Sequence, residues 1–373
     1  MKYWRGYLVA AIIAVCGGAL QKFAEGHQAL VDMFYPYVTR MVQSFLAQWS
    51  MGADFCIWQA LLITLAVAVL ASAVLMIVFK WNPIQWFGWV LTGVSVVFLL
   101  NTGIYGLNEY SGPLSEDIRL QQTDYTVTEL KEAAEFYRDE ANRLAKRVER
   151  DAQGNPVNPE FAELAKQAGE GFQVLTREEF MSVFAGSTLP VKELGWSDYY
   201  TGKGVGGKLC PITGEAAVNP QAPAVYLPYG MCEQMARRMS IAVDRDARFA
   251  GILASAFHPE DRFQYSGYMM AYLYCEQALE AVAKSTGDAS ILQVKEKVSP
   301  ELQHDMKTYR EFFGTDPHGT QVAELLVSWH IERYILPKQQ EDKVLFDPFD
   351  EDKVDLSGLV NAPETEPTEA AEE

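Results

Sequence analysis

Ile57 to Phe79 reads "IWQALLITLAVAVLASAVLMIVF", without a single charge. A run of this length crosses the hydrocarbon core of a bilayer as a helix, and a buried soluble helix rarely stays uncharged for so long. After "KWNPIQ" a second uncharged run follows, "WFGWVLTGVSVVFLLNTGIYGL", from Trp86 to Leu107. The two predict a membrane hairpin, with Trp81, Trp86 and Trp89 where interfacial aromatics belong. Upstream, "GYLVAAIIAVCGGAL" follows "MKYWR" and has the charged start and short apolar run of a signal peptide. No small-x-small cleavage site follows it, and Val15 before Cys16 argues against a lipoprotein signal. A third, uncleaved membrane helix is therefore expected, giving spans over about 5–22, 57–79 and 86–107 in a membrane region 1–107.

Direction follows from the basic residues that flank the spans. Lys2 and Arg5 precede the first helix, and Lys80 lies in the turn between the second and third. Placing all three in the cytoplasm puts the N-terminus inside and everything after Leu107 outside. Lys22 and Arg40 in the expected outer loop are accompanied by Glu25, Asp32 and Asp54 and weaken this vote only in part.

The 373 residues carry a formal charge of −18. The acidic excess falls mostly after residue 108, so no basic footprint for nucleic acid exists. The end, "NAPETEPTEAAEE", is nearly free of apolar residues and predicts a disordered acidic tail over 341–373. Cys16 and Cys56 fall in or beside apolar segments, and Cys210, Cys232 and Cys275 lie further on without a C-x-x-C pair. Two of the last three could pair in an oxidising space; isolated core thiols are the simpler reading.

Between 108 and 340 the texture is mainly helical. Thr126-x-x-Glu129 is a capping box ahead of a helix whose Leu130, Ala134, Tyr137, Ala141, Leu144 and Val148 share one face. "EFAELAKQA" predicts a short helix, and Thr176-x-x-Glu179 predicts the start of another. Leu189 to Pro228 reads as loops with short strands. "GKGVGG" fits Gly-x-Gly-x-x-Gly at Gly202, Gly204 and Gly207, but Pro211 blocks the helix a dinucleotide site needs, so a flexible loop is expected. No two histidines are spaced i, i+4, so no helix carries a histidine ligand pair.

"LPYGMCEQMARRMSIAVDRDARF", Leu227 to Phe249, has the shape of a zinc-peptidase helix without its histidines. Around it stand "MFYPYVTRMVQSF", "IYGLNEYSGPLSEDIRL", "LPVKELGWSDYY", "LCPITGEAAVN" and "FQYSGYMMAYLY". Together these resemble the bacterial membrane family catalogued as domain of unknown function 3810. Its members look like zincin-like, zinc-metallopeptidase domains behind three membrane helices. The resemblance runs from the first membrane helix to about Tyr334.

The family pattern reads roughly Pro-Phe-Thr-Ile-Ala-His-Glu-x-Ala-His-Gln-x-Gly, then Arg-Glu-x-Glu-Ala-Asn-Phe. One register sets Glu233 as the catalytic Glu and Cys232 at the first His, but it leaves Ala236 at the second. The gapless register puts Glu233 and Arg237 at the two His positions, Gln234 at the catalytic Glu and Asp246 at the third ligand. It implies that the metal and the general base are lost: Gln234 takes no proton, and an arginine repels a dication. The expectation is that the Arg237 guanidinium replaces zinc between Glu233 and Asp246. Thr213, Gly214, Glu215, Asn219, Tyr265 and Tyr268 are expected to border the same cleft.

The resulting reading is a mainly α protein: three membrane helices, then an extracytoplasmic, mostly helical zincin-like (α+β) domain. It is expected to be catalytically inactive, without a cofactor, and to bind an envelope peptide, polymer or membrane protein beside the lipid bilayer. Two alternatives stand. One is a hydrolase using Glu215, Glu233, Asp244 or Asp246 as acid and base, with Tyr265 or Tyr268 polarising the substrate. The other is a structural subunit of a membrane assembly.

Overall fold

The computed structural model describes residues 2–122 and 124–337; the expected acidic tail lies outside the described residues. Residues up to Trp329 form one compact unit, and a second begins at His330. The described part of the second carries a π-helical turn, Ile331–Ile335, with the His330 and Tyr334 rings stacked 5.3 Å apart.

Three helices are long and apolar enough to cross a membrane: α1 (Arg5–Gly26), α3 (Ile57–Val78) and α4 (Pro83–Ile104). The last begins three residues before the expected Trp86, because Asn82 accepts hydrogen bonds from Ile84 and Gln85 N–H and Pro83 suits a first helical position. α1 and α4 pack side by side along small residues: Ala10, Gly17 and Ala24 on one, Gly88, Ser95 and Thr102 on the other, each set spaced by seven. A Cβ on Gly6 would sit 2.6 Å from the Gly88 carbonyl carbon, and one on Gly17 would sit 2.5 Å from the Phe98 ring. Thr92 Oγ1 donates to the Gly6 carbonyl at 2.9 Å. Close backbone approach through small residues is how helices associate where no hydrophobic effect separates them from lipid. Gly6 meets Gly88, Gly17 meets Phe98, and Ala24 clusters with Leu107, so the two helices run parallel. The start of α1 and the α3–α4 turn therefore share one end. α3 touches α4 only sparsely, with a Trp86 Nε1 to Ser72 Oγ bond of 3.1 Å.

The stretch expected as an outer loop is instead a helix, α2 (Gln28–Ser50). Its inner face buries Val31, Thr39, Gln43, Ala47 and Ser50, while Leu30, Phe34, Tyr37, Met41, Phe45 and Trp49 form an exposed apolar stripe. Such inverted amphipathicity suits a helix lying in a membrane interface. Buried Asn108 ties α2 to the end of α4: its Nδ2 donates to Thr39 Oγ1 at 3.1 Å, and Thr39 Oγ1 lies 2.9 Å from Ser240 Oγ.

Beyond the membrane helices, α5 (Val127–Ala145) starts at the expected capping box, with both reciprocal bonds formed. Thr176, expected to start a helix, instead ends the one at Gly169–Leu175; its Oγ1 turns back to the Gln173 carbonyl, and Phe180 at φ 63 breaks any continuation. A three-stranded sheet has the order β1 (Lys192–Glu193), β3 (Glu215–Val218), β2 (Gly207–Cys210), with β1 parallel and β2 antiparallel to β3. Helices α6 (Leu227–Arg238), α7 (Asp244–Ala256), α8 (Asp261–Thr286), α9 (Pro300–Phe313) and α10 (Gly319–His330) complete the domain. Gly251 lets α7 lie against α6, since a Cβ there would fall 2.9 Å from Glu233 Cα; Gly267 does the same between α8 and Ser255.

Candidate functional site

A cleft of about 490 Å³ opens between β2, α6, the start of α7 and the facing parts of α8 and α9. Glu233 and Arg237, one turn apart on α6, point into it. Glu233 Oε1 accepts from Arg237 Nη2 at 2.8 Å and Nε at 3.2 Å, and Arg237 Nη1 donates to Asp244 Oδ1 at 2.7 Å. Asp244 Oδ2 stands 3.7 Å from Arg248 Nη1 and 3.6 Å from His318 Nε2. Arg248 Nε pairs with Asp316 Oδ2 at 2.7 Å, and Tyr274 OH donates to the same oxygen at 3.2 Å. Glu233, Arg237, Asp244, Arg248 and Asp316 thus form a row of alternating charge along the cleft.

Burial disfavours the charged forms of both arginines, yet their carboxylate neighbours outweigh it and hold both above the ordinary guanidinium value. Asp244 is likewise pushed up by burial but held below the usual carboxylate range by Arg237, Arg248 and His318. Burial keeps the phenols of Tyr226, Tyr229 and Tyr274 well above their usual value, so they remain protonated hydrogen-bond donors.

Several polar atoms here are left over. The Tyr229 hydroxyl (residue 1% exposed) and Gln234 Oε1 (3% exposed) are buried without a partner, and Arg248 Nη1 makes no hydrogen bond. Orphaned buried groups on a cleft wall call for a ligand or ordered water. The glycine-rich loop rejected as a nucleotide site lines the same wall. It is packed rather than loose: a Cβ on Gly206 would strike the Tyr226 ring at 2.6 Å, and one on Gly207 the Gln234 side chain at 2.7 Å.

The expected clamp is corrected at one residue. Asp246 does not reach Arg237. It is buried on the opposite side of α7, where Oδ1 accepts from Arg245 Nε at 2.9 Å and Oδ2 from Leu114 N at 3.0 Å. At about 100° per residue, side chains two apart on a helix point nearly opposite ways, so Asp244 takes the cleft and Asp246 holds the segment that follows α4.

Most other expected cleft residues are joints too. Glu215 Oε1 accepts from Lys192 Nζ at 2.7 Å and Ile57 N at 2.8 Å, and Oε2 accepts from Trp58 N at 2.9 Å. It caps the start of α3. Lys192 also donates to the Ser50 and Phe55 carbonyls. Thr213 and Gly214 form the β2–β3 turn against α2, where a Cβ on Gly214 would fall 2.6 Å from Ala47 N. Asn219 steadies the loop before β2 through Thr201 Oγ1 and the Val205 carbonyl. Tyr265 donates to Asp305, itself paired with Arg150 at 2.8 Å, and Tyr268 packs against the Phe136 and Tyr137 rings. Of the named acid–base candidates only Glu233 and Asp244 lie in the cleft. Ser266 of "YSGY" bonds Tyr229 N and the Val225 carbonyl, fixing the first turn of α6. All five cysteines are free thiols.

Reading by residue type missed Arg248, Asp316 and the tyrosines Tyr226, Tyr229, Tyr274 and Tyr309. Only the Asp244–Arg248 i, i+4 spacing signals any of them. Among the described residues, no three His, Cys, Asp or Glu side chains are placed to share a metal ion.

Fold and site together define a mainly helical protein with three apolar helices suited to a membrane and a charged, tyrosine-lined cleft. Residues 31–342 match the family described as protein of unknown function (DUF3810), and the chain belongs to that family. No curated protein and no solved structure matches it.

Proposed function

We propose that the protein is a membrane-anchored, catalytically silent relative of zinc metallopeptidases whose cleft binds an extended envelope peptide outside the cytoplasm. The observation that carries this is the Arg237 guanidinium held between Glu233 and Asp244; the gapless register reads Glu233 and Arg237 as replacing the two histidines of a zinc-peptidase helix. The donor set does not suit zinc. Both carboxylates already serve a cation that does not deprotonate, and Gln234 cannot act as a base. An extended peptide suits what remains, because β2 is an edge strand whose Gly207, Lys208 and Leu209 line the cleft. Its amides would also meet the Tyr229 hydroxyl and Gln234 Oε1. Lys2, Arg5 and Lys80 belong to one end of the parallel α1–α4 pair, and placing that end in the cytoplasm puts the cleft outside.

The test uses purified full-length protein in lipid nanodiscs, assayed for metal content and against a displayed library of extended peptides. Binding without cleavage, weakened about ten-fold by Gly207→Val, is expected. Stoichiometric zinc that is lost in Glu233→Ala, or peptide cleavage abolished by Glu233→Gln, would overturn the reading.

A further inference from the structure

Beside the charged cleft lies a second concavity of about 420 Å³, walled by Leu61, Leu62 and Leu65 of α3, Val97 of α4 and the β2–β3 turn. Lys208, Leu209 and Pro211 line both hollows, so the two meet at β2. The three leucines are about half exposed, on a helix whose surroundings are acyl chains if it crosses a bilayer.

Three polar groups interrupt this apolar wall. Lys208 Nζ stands 5.3 Å over the Trp58 ring, exposed and with no carboxylate partner among the described residues. Trp58 is only 6% exposed, and its indole N–H has no oxygen acceptor; the weakly accepting Cys56 thiol is beside it. Asn101 presents an exposed amide on α4. Polar groups so weakly answered are costly at membrane depth and mark functional positions there. The outward apolar stripe of α2 suits a helix lying at the bilayer surface. Gln43 on its inner face donates to the Pro211 carbonyl at 2.9 Å, so the groove is joined to α2 at the level of that stripe.

We propose that this groove holds an acyl chain of a phosphate-bearing bilayer lipid, its headgroup at Lys208 where groove and cleft join. The apolar wall accounts for the chain, the lysine for the phosphate, and the Trp58 and Asn101 donors for the ester oxygens between them. This goes beyond the peptide reading and stands without it. A free anion would not need the leucines, and a second copy of the chain is told apart by cross-linking.

Full-length protein in phosphatidylethanolamine–phosphatidylglycerol vesicles, carrying phosphatidylglycerol with a diazirine in its acyl chain, tests this by photolysis and peptide mapping. Adducts are expected to concentrate at Leu61–Leu65 and Val97 over the outward faces of α1 and the far turns of α3. Lys208→Gln should cut groove labelling about five-fold, the worth of one lysine against an anionic headgroup, and leave labelling by a neutral diacylglycerol probe unchanged. Leu62→Trp, which fills the groove, should cut both. Adducts spread evenly over every exposed apolar face would sink the proposal. So would competition by inorganic phosphate, or groove residues cross-linked to a second copy. A folded variant that labels like wild type after Lys208→Gln would also overturn it.

Discussion

Asp244 and Asp246 differ by one helical face, and that difference decides what Arg237 does. Arg237 is 17% exposed and answers two carboxylates, so Arg237→Met leaves Glu233 and Asp244 facing each other. A loss on the order of 3 kcal/mol is expected, as for a buried pair stripped of one partner. Adding Glu233→Gln to that variant should recover part of it in detergent melts, whereas a single mutant melting like wild type would mean an ordinary surface pair. Asp117 gives the opposite test. Partial desolvation against its neighbours, with Asp32 nearby, pushes its carboxyl up to about 6 although the side chain remains exposed at the surface, so the effect on stability is small. The folded state therefore holds that proton more tightly than the unfolded chain. The stability this contributes is full below the ordinary carboxylate value and is lost as pH rises through about 6. Asp117→Asn should raise the melting temperature at neutral pH, with the gain vanishing near pH 4; an equal gain at both would exclude titration as its source.

Among the elements, α3 and α4 were plain from the absence of charge, and α5 from its capping box. α2 was hidden because its apolar face points away from the protein: the same residues that make it a helix looked like a mixed loop beside the spans. The Thr176-x-x-Glu179 pattern misled for a local reason, since a side-chain oxygen near a helix end serves a C-terminal carbonyl as readily as an N-terminal amide. The α1–α4 pair makes a sharp prediction. A Cβ on Gly88 would fall 2.9 Å from the Tyr7 ring and 3.1 Å from the Tyr7 backbone nitrogen on α1, so the branched side chain of Gly88→Val must push the helices apart. About 1–3 kcal/mol of overpacking is expected, read as a lower midpoint in denaturant titration in mild detergent. Gly93, whose Cβ would meet nothing, is the control, and Gly93→Ala should be silent.

For the whole molecule, the membrane count and helical class were legible in the sequence, as was the helix that carries the cleft. The cleft's composition was not. Arg248 and Asp316 are far apart along the chain, and only the close crossing of α6 and α7 at Gly251 brings Glu233 to the same wall. Motif segments that looked like cleft borders, around Glu215 and Ser266, are instead the joints that hold it. Sidedness is testable at this scale. In intact cells an impermeant maleimide should label Lys284→Cys but reach Lys80→Cys only after lysis; the reverse pattern would place the domain inside.

The Glu215 carboxylate has a mechanical meaning. It holds the first amides of α3 and the Lys192 ammonium at once, and it is itself the first residue of β3. α3 is otherwise loosely accompanied in the membrane, so it is the span freest to lean when the bilayer thins or thickens. A lean turns about its upper end, and that end is bolted to the strand beside β2. In a bilayer such a helix would act as a lever with its short arm at the cleft, and bilayer thickness would become a quantity the cleft could register.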